Sequence, residues 1–113
     1  MRMRLFRTVP SISPREAAER LARGELQLVD VRERSEVAAG AVPEATHIPL
    51  GRLAAGLHGL DRDRPVAFLC RSGGRSAAAT RAALAAGLDA ANVAGGIAAW
   101  ARQGLPVSTK ENR

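Results

Sequence analysis

Cys70 is the one cysteine of this 113-residue chain, and its flanks are those of a reactive thiol. An apolar run, Pro65-Val66-Ala67-Phe68-Leu69, leads into Cys70-Arg71-Ser72-Gly73-Gly74-Arg75, and Ser76-Ala77-Ala78-Ala79-Thr80 follows. That succession is a buried strand, a turn and a helix start. A helix N-terminus and nearby guanidinium groups favour negative charge, and they lower a cysteine pKa from about 8.5 to roughly 3.5–7.5. Only the thiolate is a good nucleophile. A cysteine that merely fills space in a core has no need of Gly73, Gly74 and two arginines beside it. Consecutive backbone N–H groups in such a loop form an anion-binding concavity, and glycines adopt the backbone angles it requires.

The elements that must hold this loop alternate between helix and strand. Ser13-Pro14-Arg15-Glu16 predicts a helix with Ser13 as N-cap, Pro14 at its first position and Glu16 closing a capping box. Ala17 and Leu21 supply its apolar stripe and Gly24 ends it. Leu26 to Val31 reads as a strand of a parallel sheet. A short helix from Ser35 to Ala39 ends at Gly40, and a short strand, Thr46-His47-Ile48, closes at Pro49. Arg52 to Leu57 reads as helical, and Asp61 to Pro65 as a charged turn. After the strand Val66 to Leu69 and the Cys70 loop, a helix is expected from Ser76 to Ala86, with Ala77, Thr80, Leu84 and Leu88 facing the sheet. Gly87 ends it. Ala91 to Val93 is a last strand, and Gly95-Gly96 turns into a helix carrying Trp100. Residues beyond Val107 are expected to fray. The pattern is that of an α/β sandwich with a mainly parallel central sheet. Ligands bind such sheets beyond the carboxyl ends of the strands, where Cys70 falls.

Length and composition set outer limits. A chain of 113 residues makes one domain, with a core sufficient without disulfides. No spacing suggests zinc or an iron–sulfur cluster. No apolar run approaches the ~20 residues of a membrane helix. The N-terminus Met1-Arg2-Met3-Arg4-Leu5-Phe6-Arg7 is basic but lacks the apolar core of a signal peptide, so the cytoplasm is the expected compartment. The net charge of +6 raises nucleic acid as a partner. The arginines are spread along the chain, however, and the only aromatics are Phe6, Phe68 and Trp100, so neither a phosphate-tracking cluster nor a stacking platform is expected. The charge instead favours small anionic substrates.

Four blocks of the chain resemble the rhodanese-like sulfurtransferases. The first is Leu28-Val29-Asp30-Val31-Arg32-Glu33, with Glu36 after it. The second is Gly40-Ala41-Val42-Pro43-Glu44-Ala45-Thr46-His47-Ile48-Pro49-Leu50. The third is Cys70 to Ser76. The fourth is Val93-Ala94-Gly95-Gly96-Ile97-Ala98-Ala99-Trp100, then Gly104-Leu105-Pro106-Val107. The resemblance implies a single rhodanese-like domain over residues 1–113, with a core of about 12–107. It would be a three-layer α/β sandwich whose mainly parallel sheet has about five strands, with helices on both faces. The second block departs from the family's usual Gly-His-Ile-Pro-Gly-Ala, having Ala41 and Glu44 in place of the histidine and second glycine. That histidine is not the nucleophile, so the departure bears on the local turn and not on the chemistry.

The resemblance also implies a reaction. The Cys70 thiolate takes the outer sulfur of thiosulfate, sulfite leaves, and the Cys70 persulfide passes its sulfur to a thiophilic acceptor such as cyanide or a thiol. No cofactor or metal is called for. The loop Arg71, Ser72, Gly73, Gly74, Arg75 and Ser76 would hold the persulfide on its N–H groups, as an oxyanion hole holds oxygen. Arg71 and Arg75 would bind the sulfonate end, Arg75 also holding the loop's shape. Ser76 reads first as the N-cap of the following helix, with its hydroxyl available to the sulfur. Asp30 and Arg32 would brace the loop or rim the site, or more simply form an ion pair or cap that fixes the chain after its strand, in company with Glu36. Trp100 is core or a wall near the site, His47 is packed and His58 lies on the surface.

Three other functions use related features. A persulfide carrier between a protein donor and a protein acceptor needs the same loop. Phosphatases and arsenate reductases with a cysteine loop usually have five residues between cysteine and arginine, whereas four separate Cys70 from Arg75. Non-enzymatic modules of the family often lack the cysteine.

Overall fold

The computed structural model describes residues 9–109. The basic segment before residue 9 and Lys110 to Arg113 lie outside it. Strands β1 (Ser11–Ile12), β2 (Gln27–Asp30), β3 (Thr46–His47), β4 (Val66–Leu69) and β5 (Ala90–Val93) form one sheet in the order β1-β5-β4-β2-β3. Every strand pairing in it is parallel. Helices α1 (Pro14–Ala22), α2 (Arg34–Ala39), α3 (Leu53–Gly56), α4 (Gly74–Ala85) and α5 (Gly96–Arg102) connect them, and a 3₁₀ turn flanks α3 on each side.

The sequence of β4 explains its central place. All four of its residues, Val-Ala-Phe-Leu, are buried, as a strand covered on both faces requires. Alternation then sorts them. Val66 and Phe68 lie in one core layer with Val29, Val31, Leu53, Leu57, Ala79 and Ala83. Ala67 and Leu69 lie in the other with Ile12, Ala17, Leu28, Val93 and Trp100. Helices α3 and α4 thus cover one face and α1 and α5 the opposite one. Cys70 continues the even-numbered series and joins the α3/α4 layer.

Several expectations are met in detail. Ser13 caps α1, accepting the Glu16 N–H at 3.1 Å, and Gly24 and Gly87 follow their helices with φ of 72° and 88°. Others are corrected. The strand β1 was not anticipated from Ser11-Ile12. It forms by docking on β5, where the Asn92 N–H donates to Pro10 O and the Ala94 N–H to Ile12 O, both at 2.9 Å. The expected helix Arg52 to Leu57 is one α turn between two 3₁₀ turns. Helix α4 begins at Gly74 rather than Ser76, with Gly73 as N-cap at φ 120°. The buried face of α4 is therefore Ser76, Ala79, Thr80 and Ala83, and Leu84 is 40% exposed. Ser108 does not fray: its backbone pairs with Ala41 in both directions, at 2.9 and 3.0 Å. That bridge also occupies the position where Ala41 replaces the family's histidine.

Candidate active site

Cys70 leaves the carboxyl end of β4, the middle strand of the sheet, and the chain turns at once into α4. Gly73 at φ 120° makes that immediate turn possible, since a side chain is strained there. The turn aims its donors back at the sulfur. The Gly73 N–H donates to Cys70 Sγ at 3.1 Å, and Ser76 Oγ lies 3.2 Å from it. Burial pushes the thiol up. The Ser76 hydroxyl and the N–H groups of Ser76, Gly73 and Ser72 outweigh it, and the thiol is held below its ordinary value. Each of these donors favours the charged form.

The loop's carbonyls are drawn the other way. Ile97 N–H donates to Cys70 O at 2.8 Å and Ala98 N–H to Arg71 O at 3.1 Å. This requires α5 to start against the loop backbone. A side chain at Gly96 would overlap the carbonyl groups of Cys70 and Arg71. The Gly95-Gly96 pair, far away in sequence, therefore shapes the cysteine loop.

The two loop arginines have separate fates. Arg75 forms a two-pronged ion pair with Glu36 at 2.7 and 2.9 Å. Glu36 chiefly, and the nearby Cys70 secondarily, hold its guanidinium above the usual arginine range. Arg75 holds the Glu36 carboxyl down at about 2, together with the Glu33 backbone. Glu36 was expected beside Asp30 and Arg32, and its carboxylate instead braces the loop. Arg71 is exposed and lines an apolar groove of about 370 Å³ with Ile97, Ala98, Ala101 and Val107. A larger hollow of about 540 Å³ lies beside Trp100 under α1, on the sheet face away from Cys70.

Asp30 and Arg32 form a buried ion pair, with guanidinium-to-carboxylate distances of 2.8 to 3.1 Å. Arg32 also donates to Gly40 O at 2.8 Å, tying β2 to the end of α2. The pair supports the helix that carries Glu36. His47 Nε2 is 2.7 Å from Arg32 O and partly buried, and His58 is exposed. Trp100 belongs to the core of the opposite face, its Nε1 donating to Pro106 O at 3.0 Å. Among the described residues, no three His, Cys, Asp or Glu side chains are grouped as metal ligands, and no helix is long and apolar enough to cross a membrane.

Ser76 is not a helix cap. It is fully buried in the first turn of α4, facing both Cys70 and Asn92. Asn92 was read only as a strand residue. A polar side chain between Ala91 and Val93 in an interior strand was the available signal, because such groups require partners.

The sequence profile of the rhodanese-like domain matches residues 13–103. The chain belongs to the rhodanese-like family. Among relatives of this chain is a sulfurtransferase of Allochromatium vinosum, 37% identical over 105 residues, which cover 91% of this chain and 98% of that protein. Another is the thiosulfate:glutathione sulfurtransferase of Homo sapiens, 33% identical over 106 residues, covering 80% and 92%. A crystal structure of a rhodanese-related protein from Thermoplasma volcanium superimposes with a TM-score of 0.82 at 33% identity, over 89% of this chain and 99% of that one. These likenesses support a sulfurtransferase of the rhodanese type, with a sulfur donor and a sulfur acceptor as its substrates.

Proposed function

We propose that this protein transfers the outer sulfur of thiosulfate to a thiophilic acceptor, cyanide or a thiol, through a persulfide on Cys70. The observation that carries the reading is the convergence of the Gly73 N–H and the Ser76 hydroxyl on one buried sulfur. The Cys70 thiolate attacks the outer sulfur of thiosulfate. A new S–S bond forms, the bond to the central sulfur breaks, and sulfite leaves with that electron pair. The persulfide carries its negative charge on the outer sulfur, where the loop N–H groups hold it. The acceptor attacks that sulfur, and Cys70 regains its electron pair as a thiolate. With cyanide as acceptor no proton moves in either half; a thiol acceptor first gives its proton to solvent and attacks as the thiolate. Arg71, whose guanidinium has no partner among the described residues, is suited to the sulfonate end.

A transferred atom at the tip of a small anion suits a buried sulfur better than a phosphate monoester does. Arg75, which would have to bind such a phosphate, is committed to Glu36. In this reading the protein works in the cytoplasm, where Cys70 stays reduced. The test is intact-mass measurement after mixing with thiosulfate, followed by cyanide. One added sulfur on Cys70, discharged as thiocyanate and absent from Cys70→Ser, is the expected result. Normal thiocyanate production by Cys70→Ser would overturn the mechanism. Loading only from a protein persulfide, and never from thiosulfate, would assign the protein as a relay between partner proteins.

A further inference from the structure

The Ser76 hydroxyl has one proton and three acceptors within reach. They are Asn92 Oδ1 at 2.5 Å, Cys70 Sγ at 3.2 Å and Gly73 O at 3.3 Å. Gly73 O is already engaged twice, by the Ala77 N–H at 3.0 Å and by Asn92 Nδ2 at 3.2 Å. A carbonyl oxygen has two lone pairs, so the choice narrows to Asn92 and Cys70. The Asn92 amide cannot turn over to relieve the competition. Flipping it would set two carbonyl oxygens, those of Asn92 and Gly73, against each other. Among the described residues Ser76 is the only donor that reaches Asn92 Oδ1. Ser76 is fully buried, so water does not readily settle the contest.

We propose that Asn92 is a positioning residue: its carboxamide, locked by Gly73 O, takes the Ser76 proton in the thiol and persulfide states and yields it to Cys70 Sγ in the thiolate state. In the thiol, Cys70 S–H donates to Ser76 Oγ and Ser76 donates to Asn92. When the thiol loses its proton to solvent, the hydroxyl rotates to the thiolate and leaves Asn92 Oδ1 without its protein donor. When the persulfide forms, the charge moves to the outer sulfur, Sγ becomes a weak acceptor, and the hydroxyl returns to Asn92. Asn92 therefore favours the sulfur-loaded state over the bare thiolate. The inference rests on Cys70 being the nucleophile, but its test needs no sulfur donor.

The charged groups around the sulfur are Arg71 and Arg75 on the loop, Glu36 on α2, and the Asp30–Arg32 pair after β2. Arg52 and His58 lie exposed on the α3 side. Strand β5 and the start of α5, residues 90–99, carry no charge. None of these groups bonds to Asn92, so substitution there leaves them in place.

The thiolate can be titrated by its ultraviolet absorbance without ambiguity, because the chain has one cysteine and no tyrosine. In Asn92→Ala the hydroxyl loses its nearest acceptor, Asn92 Oδ1 at 2.5 Å, and only the neutral Gly73 O, at 3.3 Å, still competes with the thiolate. The titration midpoint should fall by about half to one pH unit, roughly three- to tenfold in the acid constant, as expected for one hydrogen bond gained by the charged form. Asn92→Asp competes harder for the proton and repels the thiolate, so its midpoint should rise. With Ser76→Ala as background, Asn92→Ala should produce no further shift. If Asn92 only braces the loop, its loss slackens the N–H donors. An unchanged or raised midpoint in folded Asn92→Ala, a lowered one in Asn92→Asp, or a shift that persists without the Ser76 hydroxyl would each overturn the proposal. Failure of this titration leaves persulfide formation untouched, and failure of sulfur loading leaves the titration readable.

Discussion

Two arginines four positions apart on one loop face different partners, and their substitution should separate binding from chemistry. Arg75 is spent on Glu36 at 2.7 and 2.9 Å, and it holds the first turn of α4 against α2. Arg71 stands at the rim of the groove without such a partner. Arg71→Ala should therefore raise the Michaelis constant for thiosulfate about ten- to a hundredfold with little change in kcat, the cost of one charged hydrogen bond. Arg75→Ala should lower kcat instead, because the donors on the sulfur lose their support. Steady-state kinetics with thiosulfate varied at fixed cyanide distinguishes the two. Changes under about twofold in both variants would leave substrate binding to the backbone donors alone.

At the level of elements, the meeting of the β4–α4 loop with the start of α5 decides whether a site exists. Helix α5 begins with Gly96 at φ 63°, and a side chain there would overlap the Cys70 and Arg71 carbonyl groups. Gly104 also has positive φ, 76°, but nothing lies within 4 Å of where its side chain would go. Both Gly→Ala substitutions carry backbone strain of about 1–2 kcal/mol. Only Gly96→Ala adds an overlap, worth about 1–3 kcal/mol more, and only it displaces the loop. Thermal melts should show both proteins destabilised, Gly96→Ala more so, while thiocyanate formation collapses in Gly96→Ala and survives in Gly104→Ala. Equal activity of the two would separate α5 from the shape of the loop.

For the whole molecule, the Glu36–Arg75 pair links two elements that are far apart in sequence, and it contributes to acid stability with a definite sign. The folded-state carboxyl is depressed to about 2 from an ordinary 4.5. Its stabilisation is complete above pH 4.5 and disappears as the pH falls toward 2. Both side chains are about a third exposed, so solvent screening keeps the contribution to about 1 kcal/mol or less. Asp61 and Glu25 are also lowered and add to the same acid limb. Comparison with Glu36→Gln isolates the one pair. Denaturant midpoints at pH 7 and pH 3 should fall further in the native protein than in Glu36→Gln. Equal losses would mean that the pair does not stabilise the fold.

Local chemistry made much of this protein legible before its structure. The apolar run from Val66 to Leu69 could only be an interior strand. Ser13-Pro14 marked a helix start, and Gly73-Gly74 after Cys70 marked a tight turn into the next helix. These signals are short-range, because the residues that cause the structure adjoin it. Asp30 and Arg32, two positions apart, were readable as an ion pair or a cap, and the structure shows the ion pair. Tertiary structure alone decided what depends on contacts across the fold. It set β1 beside β5, since a two-residue strand has no pattern of its own. It turned α4 so that Ser76 faces the sulfur instead of capping the helix, because the Cys70 loop and the sheet fix the helix's register. It gave Glu36 to Arg75, 39 positions away, and brought Asn92 from β5 to the Ser76 hydroxyl, 16 positions away. Hydrogen-bond partners at such separations are chosen by the packing of a parallel sheet, whose crossovers bring the carboxyl ends of β2, β4 and β5 side by side. The sequence singles out Cys70; which donors and charges surround it is settled only when those strand ends meet.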